Sequence, residues 1–157
     1  MTAQKAQESD IDGIEKIYDR IHDSEEQGLS TIGWIRGVYP TRKTAEAALE
    51  RGDLFVMLDD GNVVAAAGIN QTQVYEYKDA AWKHAAEGRE VMVLHCLVVD
   101  PLKGGKGYGR AFVAYYEDYA KQHGCPALRM DTNVKNKRAR KLYHTLGYEE
   151  VGIVKCV

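Results

Sequence analysis

Cysteine and proline are scarce, with three of each in a chain of 157 residues. Cys96, Cys125 and Cys156 form an odd set without metal-ligand spacing, so neither a disulfide framework nor a metal site is expected. They suit a reducing cytoplasm, with Cys96 serving as a small core hydrophobe. An excess of charge of one sign is also lacking: 21 Lys and Arg stand against 23 Asp and Glu, for a net charge of −2. That leaves no basic field for a nucleic-acid partner. No apolar run is long enough to span a bilayer, and the N-terminal MTAQKAQESD has no secretory hydrophobic region, so no membrane partner is expected. There is no internal repeat and no low-complexity linker. The 45% of hydrophobic residues is ordinary for a globular chain and supports one domain, residues 1–157, around one core.

The chain is organised around Val91 to Tyr119. Val91–Val99 contains His95 as its one basic or acidic residue and reads as a strand buried on both faces. Asp100 and Pro101 end it, because proline removes a ladder donor. The glycine-rich run Gly104-Gly105-Lys106-Gly107-Tyr108-Gly109-Arg110 follows. Beyond it Phe112, Tyr115, Tyr116 and Tyr119 recur at helical spacing and predict an amphipathic helix. A strand, a glycine turn and a helix start make an anion-binding arrangement: glycines let a phosphate approach the backbone, and free N–H groups with the helix dipole favour negative charge. The run is not a P-loop, since Gly107 stands where Ser or Thr is needed, and it is not a dinucleotide fingerprint, since Arg110 or Phe112 falls at the third glycine. With no ligand at all, it reads as a tight strand-to-helix turn.

The remaining elements follow from periodicity and punctuation. Met1 to Ala6 is a weak first strand. Ser9 or Asp10 caps a helix bearing Ile11, Ile14, Ile17, Tyr18 and Ile21, which fades near Gln27-Gly28. Leu29 to Pro40 is irregular, with Trp34, Arg36 and Tyr39 among glycines; its aromatics line a ligand pocket or plug the core edge. Thr41 opens a second helix that Gly52 closes. Leu54–Leu58 and Val63–Ile69 are strands joined by the hairpin signal Asp59-Asp60-Gly61-Asn62. Gln71 to Arg89 reads as a strand end plus a surface insertion. His123-Gly124 closes the central helix, and Ala127 to Met130 is a strand ending at Asp131. Asn136 caps a helix bearing Ala139, Leu142, Tyr143 and Leu146, which Gly147 closes. Tyr148 to Val157 reads as a last strand. The order predicts an α/β (α+β) mixed sheet covered by helices.

Two separated motifs then coincide: Leu97-x-Val99-x-Pro101 with its glycine turn, and Asn136-x-x-Ala139-x-x-Leu142-Tyr143-x-x-x-Gly147-Tyr148. Together they resemble the GNAT superfamily of acetyl-CoA-dependent N-acetyltransferases, over residues 91–148 and in element order from residue 9. The resemblance implies a mixed, mostly antiparallel sheet with a splayed parallel pair, residues 91–99 and 127–131, flanked by helices on both faces. It implies acetyl-CoA as the acyl donor and no metal. Leu97, Val98 and Val99 would line the pantetheine arm; Gly104, Gly105, Lys106, Gly107, Tyr108, Gly109 and Arg110 would cradle the pyrophosphate. Asn136 would touch the cofactor and Tyr143 would reach its sulfur. Gly104 departs from the family pattern, which usually has Gln or Arg there.

The implied reaction is transfer of an acetyl group to a primary amine of a small molecule or peptide, which needs a base, an oxyanion donor and an acid for the thiolate. A backbone N–H near Leu97 or Val98 suits the oxyanion, and Tyr143 suits the acid, unless it only packs the core. His95 shares strand parity with Leu97 and Val99 and so is expected on the acyl side, as a base or as a satisfied core histidine. Asp131 and Glu90 are weaker candidates. The alternative to an enzyme is a non-catalytic acyl-CoA-binding or sensor module of the same fold. A dinucleotide-binding fragment would need a second βαβ half that the chain lacks. The family usually has two closing strands, and this chain has room for about one. Either residues 149–156 pair beside 127–131, or two chains complete one another as a homodimer.

Overall fold

The structure, a computed structural model, describes residues 1–29, 32–71, 90–132 and 135–150. Its strands are β1 (Thr2–Lys5), β2 (Leu54–Asp59), β3 (Asn62–Asn70), β4 (Val91–Val99) and β5 (Ala127–Met130), and its helices are α1 (Ile11–Glu26), α2 (Arg42–Arg51), α3 (Tyr108–Gln122) and α4 (Lys137–Thr145). The strands form one five-stranded sheet in the order β1-β2-β3-β4-β5. Every pairing is antiparallel except β4 with β5. One face packs on α1 and α2 through Ile14, Ile17, Ala45, Val56, Ala66 and Val98. The other packs on α3 through Phe55, Ala67, Leu94, Phe112 and Tyr116, with Tyr143 of α4 and Leu146 just after it against this cluster. This is the mixed, helix-covered sheet that the element order predicts.

Local chemistry explains most element ends. Thr41 and Thr44 form a reciprocal cap at the start of α2, and Gly52 closes that helix in the left-handed region. Asp60 and Gly61 both have positive φ, 53° and 77°, the requirement of a two-residue hairpin turn between β2 and β3. The start of α1 differs from expectation. Residues Glu8–Asp10 form a 3-10 turn, and the Asp10 carboxylate accepts the Gln7 N–H at 2.8 Å instead of capping α1. The earlier orphan donor is the one within reach of its short side chain.

The central strand carries an irregularity that no periodicity announces. The register of β4 on β3 runs Val98 to Ala66 and then His95 to Gly68, so Cys96 and Leu97 together face Ala67. Cys96 has φ 50°, the left-handed conformation of a bulge residue. Met92 and Leu94 pack on the α3 face, and after the bulge Leu97 and Val99 do so, while Cys96 and Val98 pack on the α1 face. The alternation therefore slips by one residue between Leu94 and Leu97.

Parallel pairing of β4 with β5 is short. It covers Val91 to Leu94 against Ala127 to Met130 and ends there. Tyr116, fully buried on α3, braces this patch: its hydroxyl donates to the Met92 carbonyl at 2.6 Å and accepts the Arg129 N–H at 3.2 Å. After α4 the chain lies against α3, with the Tyr148 hydroxyl on Glu117 at 3.0 Å. Residues 148–150 are not strand, and 151–157 of the expected last strand lie outside the described residues, as do 72–89 of the expected insertion. The Tyr116 brace predicts that Tyr116→Phe, which strands two buried backbone groups while keeping the ring, lowers unfolding free energy by about 1–3 kcal/mol. Urea titration checks this; an unshifted midpoint would refute the brace.

Candidate active site

The glycine turn is held by its flanks. Asp100 is 3% exposed; its carboxylate accepts the Leu102 N–H at 3.0 Å and Arg20 Nη1 of α1 at 2.7 Å. Charge pairing and hydrogen bonds compensate a carboxylate that burial alone would disfavour. On the far side Tyr108, buried at the first position of α3, donates its hydroxyl to Asp59 of β2. Between these anchors Gly105 and Gly107 each have φ 78°, where an L side chain is strained, and Gly107 is the residue before α3. Residues 104–107 and Arg110 are exposed, at the start of a 15-residue helix whose free N–H groups and dipole favour an anion.

Gly109 serves packing. A Cβ there would lie 3.3 Å from Leu142 of α4, so glycine lets the two helices approach. At Gly104, Nη2 of Arg138 from α4 lies 3.6 Å from the position of a Cβ. A guanidinium thus stands beside the turn where residue 104 itself offers no side chain. The expectation from the glycine pattern did not include Arg138; that the second residue of α4 comes beside this turn is a tertiary fact.

The parting of β4 and β5 opens beside this turn. Beyond Leu94, the β5 edge of β4 has no strand beside it among the described residues, and this stretch contains the Cys96 bulge, Leu97, Val98 and Val99. Leu97 and Val99 are partly buried toward α3, and Val98 is buried toward α1. Tyr143 comes to this opening from α4, stacked edge-to-face on Tyr148 with ring centroids 6.3 Å apart. Burial, and after it the nearby Asp131 and Cys96, pushes its hydroxyl up to about 12, so it holds its proton at neutral pH. Asn136 caps α4, its Oδ1 accepting the Ala139 N–H at 3.1 Å, which fixes the helix that carries Tyr143.

His95 is where the parity argument fails. The bulge lies between it and Leu97, so it faces the α1 side of the sheet, away from Leu97 and Val99. Its Nε2 is 2.8 Å from Oδ1 of Asn70, and Nδ2 of Asn70 donates to Oδ2 of Asp53 at 2.7 Å. On the same side of the sheet, burial pushes the Cys96 thiol up to about 11, with the nearby Tyr39 and Tyr18 hydroxyls pulling the other way. The loop carrying Tyr39 is tied down by Glu25, which accepts the Ile32 and Gly33 N–H groups, and by His22, whose Nε2 donates to the Pro40 carbonyl. Trp34 packs edge-to-face on Tyr39 and against the α1 core, while Tyr39 itself is exposed. Asp131 ends β5 beside the same opening, exposed, and Glu90 stands at the other end of β4. Neither Asp53 nor Asn70 carries a sequence signal beyond its residue type.

No helix among the described residues is long and apolar enough to cross a membrane. Residues 14–148 match the Acetyltransferase (GNAT) family. An uncharacterised N-acetyltransferase of Bacillus subtilis is 26% identical over 151 residues, covering 96% of this chain and 91% of that protein. A second, from Methanocaldococcus jannaschii, is 38% identical over 77 residues, which is 49% of this chain; the match spans 34% of that relative's length. Among solved structures, a GNAT-family acetyltransferase of Streptococcus agalactiae superposes with a TM-score of 0.76 at 21% identity, covering 98% of this chain and 87% of that one. The ribosomal-protein-alanine N-acetyltransferase of Brucella melitensis superposes with a TM-score of 0.70, also at 21% identity, covering 97% and 86%. The family match runs across both the parted strands and the glycine turn, and on it the chain belongs to the GNAT family of acetyltransferases.

Proposed function

We propose that this protein transfers an acetyl group from acetyl-CoA to a primary amine of a small molecule or peptide by direct attack. The observation that carries the reading is the parting of β4 from β5 immediately beside an exposed, left-handed glycine turn at a helix start. An elongated ligand with an anionic end and an acyl end fits that pair of features, the anion at the turn and the arm along the open strand edge.

Backbone N–H groups of residues 105–110 would hold the pyrophosphate, with Lys106, Arg110 and Arg138 adding positive charge at the rim. The backbone of Leu97, Val98 and Val99 would pair with the pantetheine arm as a strand would, and Asn136 would border it. Acetyl-CoA, when bound, supplies an activated carbonyl for a neutral amine to attack, and a thiolate leaving group. A backbone N–H at Leu97 or Val98, near the bulge, would steady the developing oxyanion. Tyr143 would protonate the thiolate; a hydroxyl pushed up to about 12 keeps its proton across the neutral range and has it to give. His95, on the α1 face, would accept the proton of an amine arriving from the side that Tyr18 and Tyr39 line. A homodimer and a cytoplasmic location belong to the same proposal.

Three outcomes test this reading. Acetyl-CoA should raise the melting temperature, as a ligand of the native state must, and NADH should not. Gly107→Val should abolish the shift, because a branched side chain both strains a φ of 78° and blocks the backbone; equal shifts with NADH would remove the CoA assignment. Tyr143→Phe should lower turnover about a hundredfold or more with CoA affinity nearly unchanged, measured by thiol release and calorimetry. Normal turnover in that variant would leave Tyr143 a packing residue. Because its hydroxyl stays protonated up to about 12, a basic limb at lower pH should survive in Tyr143→Phe. Tight CoA binding without transfer to any amine would favour a binding or sensor module.

A further inference from the structure

Asp53 is an unusual residue to find at the end of this sheet. It is 8% exposed, in the turn between α2 and β2, and one of its oxygens, Oδ1, has no hydrogen-bond partner. The other, Oδ2, receives Nδ2 of Asn70 at 2.7 Å and Nε of Arg51 at 3.2 Å. A half-satisfied buried carboxylate is costly. Its position explains it. Asn70 lies at the end of β3, on the face of the sheet shared with His95, and the His95 ring meets the other end of the Asn70 amide.

The chain of contacts has only one consistent polarity. Oδ2 of a carboxylate can only accept, so the Asn70 group that faces it must be the NH2. That turns the Asn70 carbonyl oxygen toward His95. A carbonyl oxygen also can only accept, so the imidazole nitrogen 2.8 Å away, Nε2, must bear the proton. We propose that Asp53 and Asn70 are positioning residues that hold His95 in the Nε2–H tautomer, so that Nδ1 carries the lone pair that takes the acceptor amine's proton.

The inference rests on the reading of His95 as the base. The step is one proton transfer. An N–H bond of the acceptor's ammonium breaks and an Nδ1–H bond forms; the amine keeps the electron pair with which it attacks. The resulting imidazolium retains its Nε2–H on the Asn70 oxygen and later returns the Nδ1 proton to water. Among the described residues, the titratable and charged groups of this region are Asp53 and Arg51 from the α2–β2 turn, Cys96 on β4 with Tyr18 of α1 and Tyr39 of the following loop against it, and Asp131 at the end of β5.

Imidazole nitrogen NMR of the histidine-labelled protein reads the tautomer without any turnover, with His95 assigned by its loss in His95→Gln. The expected wild-type spectrum has a protonated, pyrrole-type Nε2 and a pyridine-type Nδ1. Asn70→Leu should mix the two tautomers and lower turnover about tenfold or more, with the KM for acetyl-CoA unchanged. The exchanged pair Asp53→Asn with Asn70→Asp keeps a donor facing an acceptor along the 53–70–95 chain, while the exposed Arg51 side chain gives up its contact to the position of Oδ2. The exchange should restore the single tautomer and, by putting a carboxylate against the imidazolium, raise the His95 pKa and move the acidic limb of the rate profile to higher pH. A wild-type Nδ1–H tautomer would overturn the inference even if no variant folds, and so would an Asn70→Leu protein whose tautomer and rate match wild type. An acidic limb that persists unchanged in His95→Gln would instead overturn the reading of His95 as base, and the NMR result would distinguish the two failures.

Discussion

A parallel pair of strands that separates after four residues is the constraint on which this molecule depends. Separation within a sheet exposes backbone donors and acceptors that the interior would otherwise satisfy, and such groups are expensive where water is excluded. The fold keeps the pair closed at one end and open at the other. At the closed end Tyr116 spans the two strands with a single hydroxyl, and the apolar stripe of α3 seals the patch with Phe112, Val113 and Ala120, all buried. Burying side chains of the size of Phe112 or Val113 contributes about 1.5–3 kcal/mol each. At the open end no strand pairs with the β5 edge of β4 among the described residues.

Polar side chains brace β4 near both of its ends. Asp100 ties the end of β4 to α1 through Arg20, which holds the glycine turn at the strand end. Asp53 and Asn70 set the surroundings of His95 on the α1 face. The bulge at Cys96 places His95 and Leu97 on different sides of the sheet. Without it, the residue three after Leu94 would point away from α3, and Leu97 would leave the cluster around Phe112. One left-handed residue thereby turns His95 to one face of the sheet and Leu97 and Val99 to the other.

The glycine turn, the Asn136 cap and the stripes of α1 and α3 were legible from residue types and spacing, because each depends on a few neighbouring residues. Gly105 and Gly107 do occupy left-handed backbone, and Asn136 does accept the N–H three residues on. The parity of His95 with Leu97 was not legible. Cys96 is neither glycine nor asparagine, so nothing in its identity signals a positive φ, and a strict two-residue period carried across it gives the wrong face. Likewise Asp10 sits at the predicted cap position but bonds the chain before the helix.

What the sequence by itself determined is the set of elements and the local chemistry of their ends: nearly every strand and helix boundary follows from hydrophobic period, glycine and capping side chains, interactions of a few residues' reach. What only the tertiary structure decided is which of those elements meet. Arg138 beside Gly104, Tyr143 beside Asp131 and Cys96, and Asp53 beside Asn70 and His95 join residues distant in the chain. Their contact is set by strand order, by a one-residue bulge and by the close approach of α3 and α4 at Gly109, and none of these leaves a trace in a local window, since each is a consequence of packing the whole sheet.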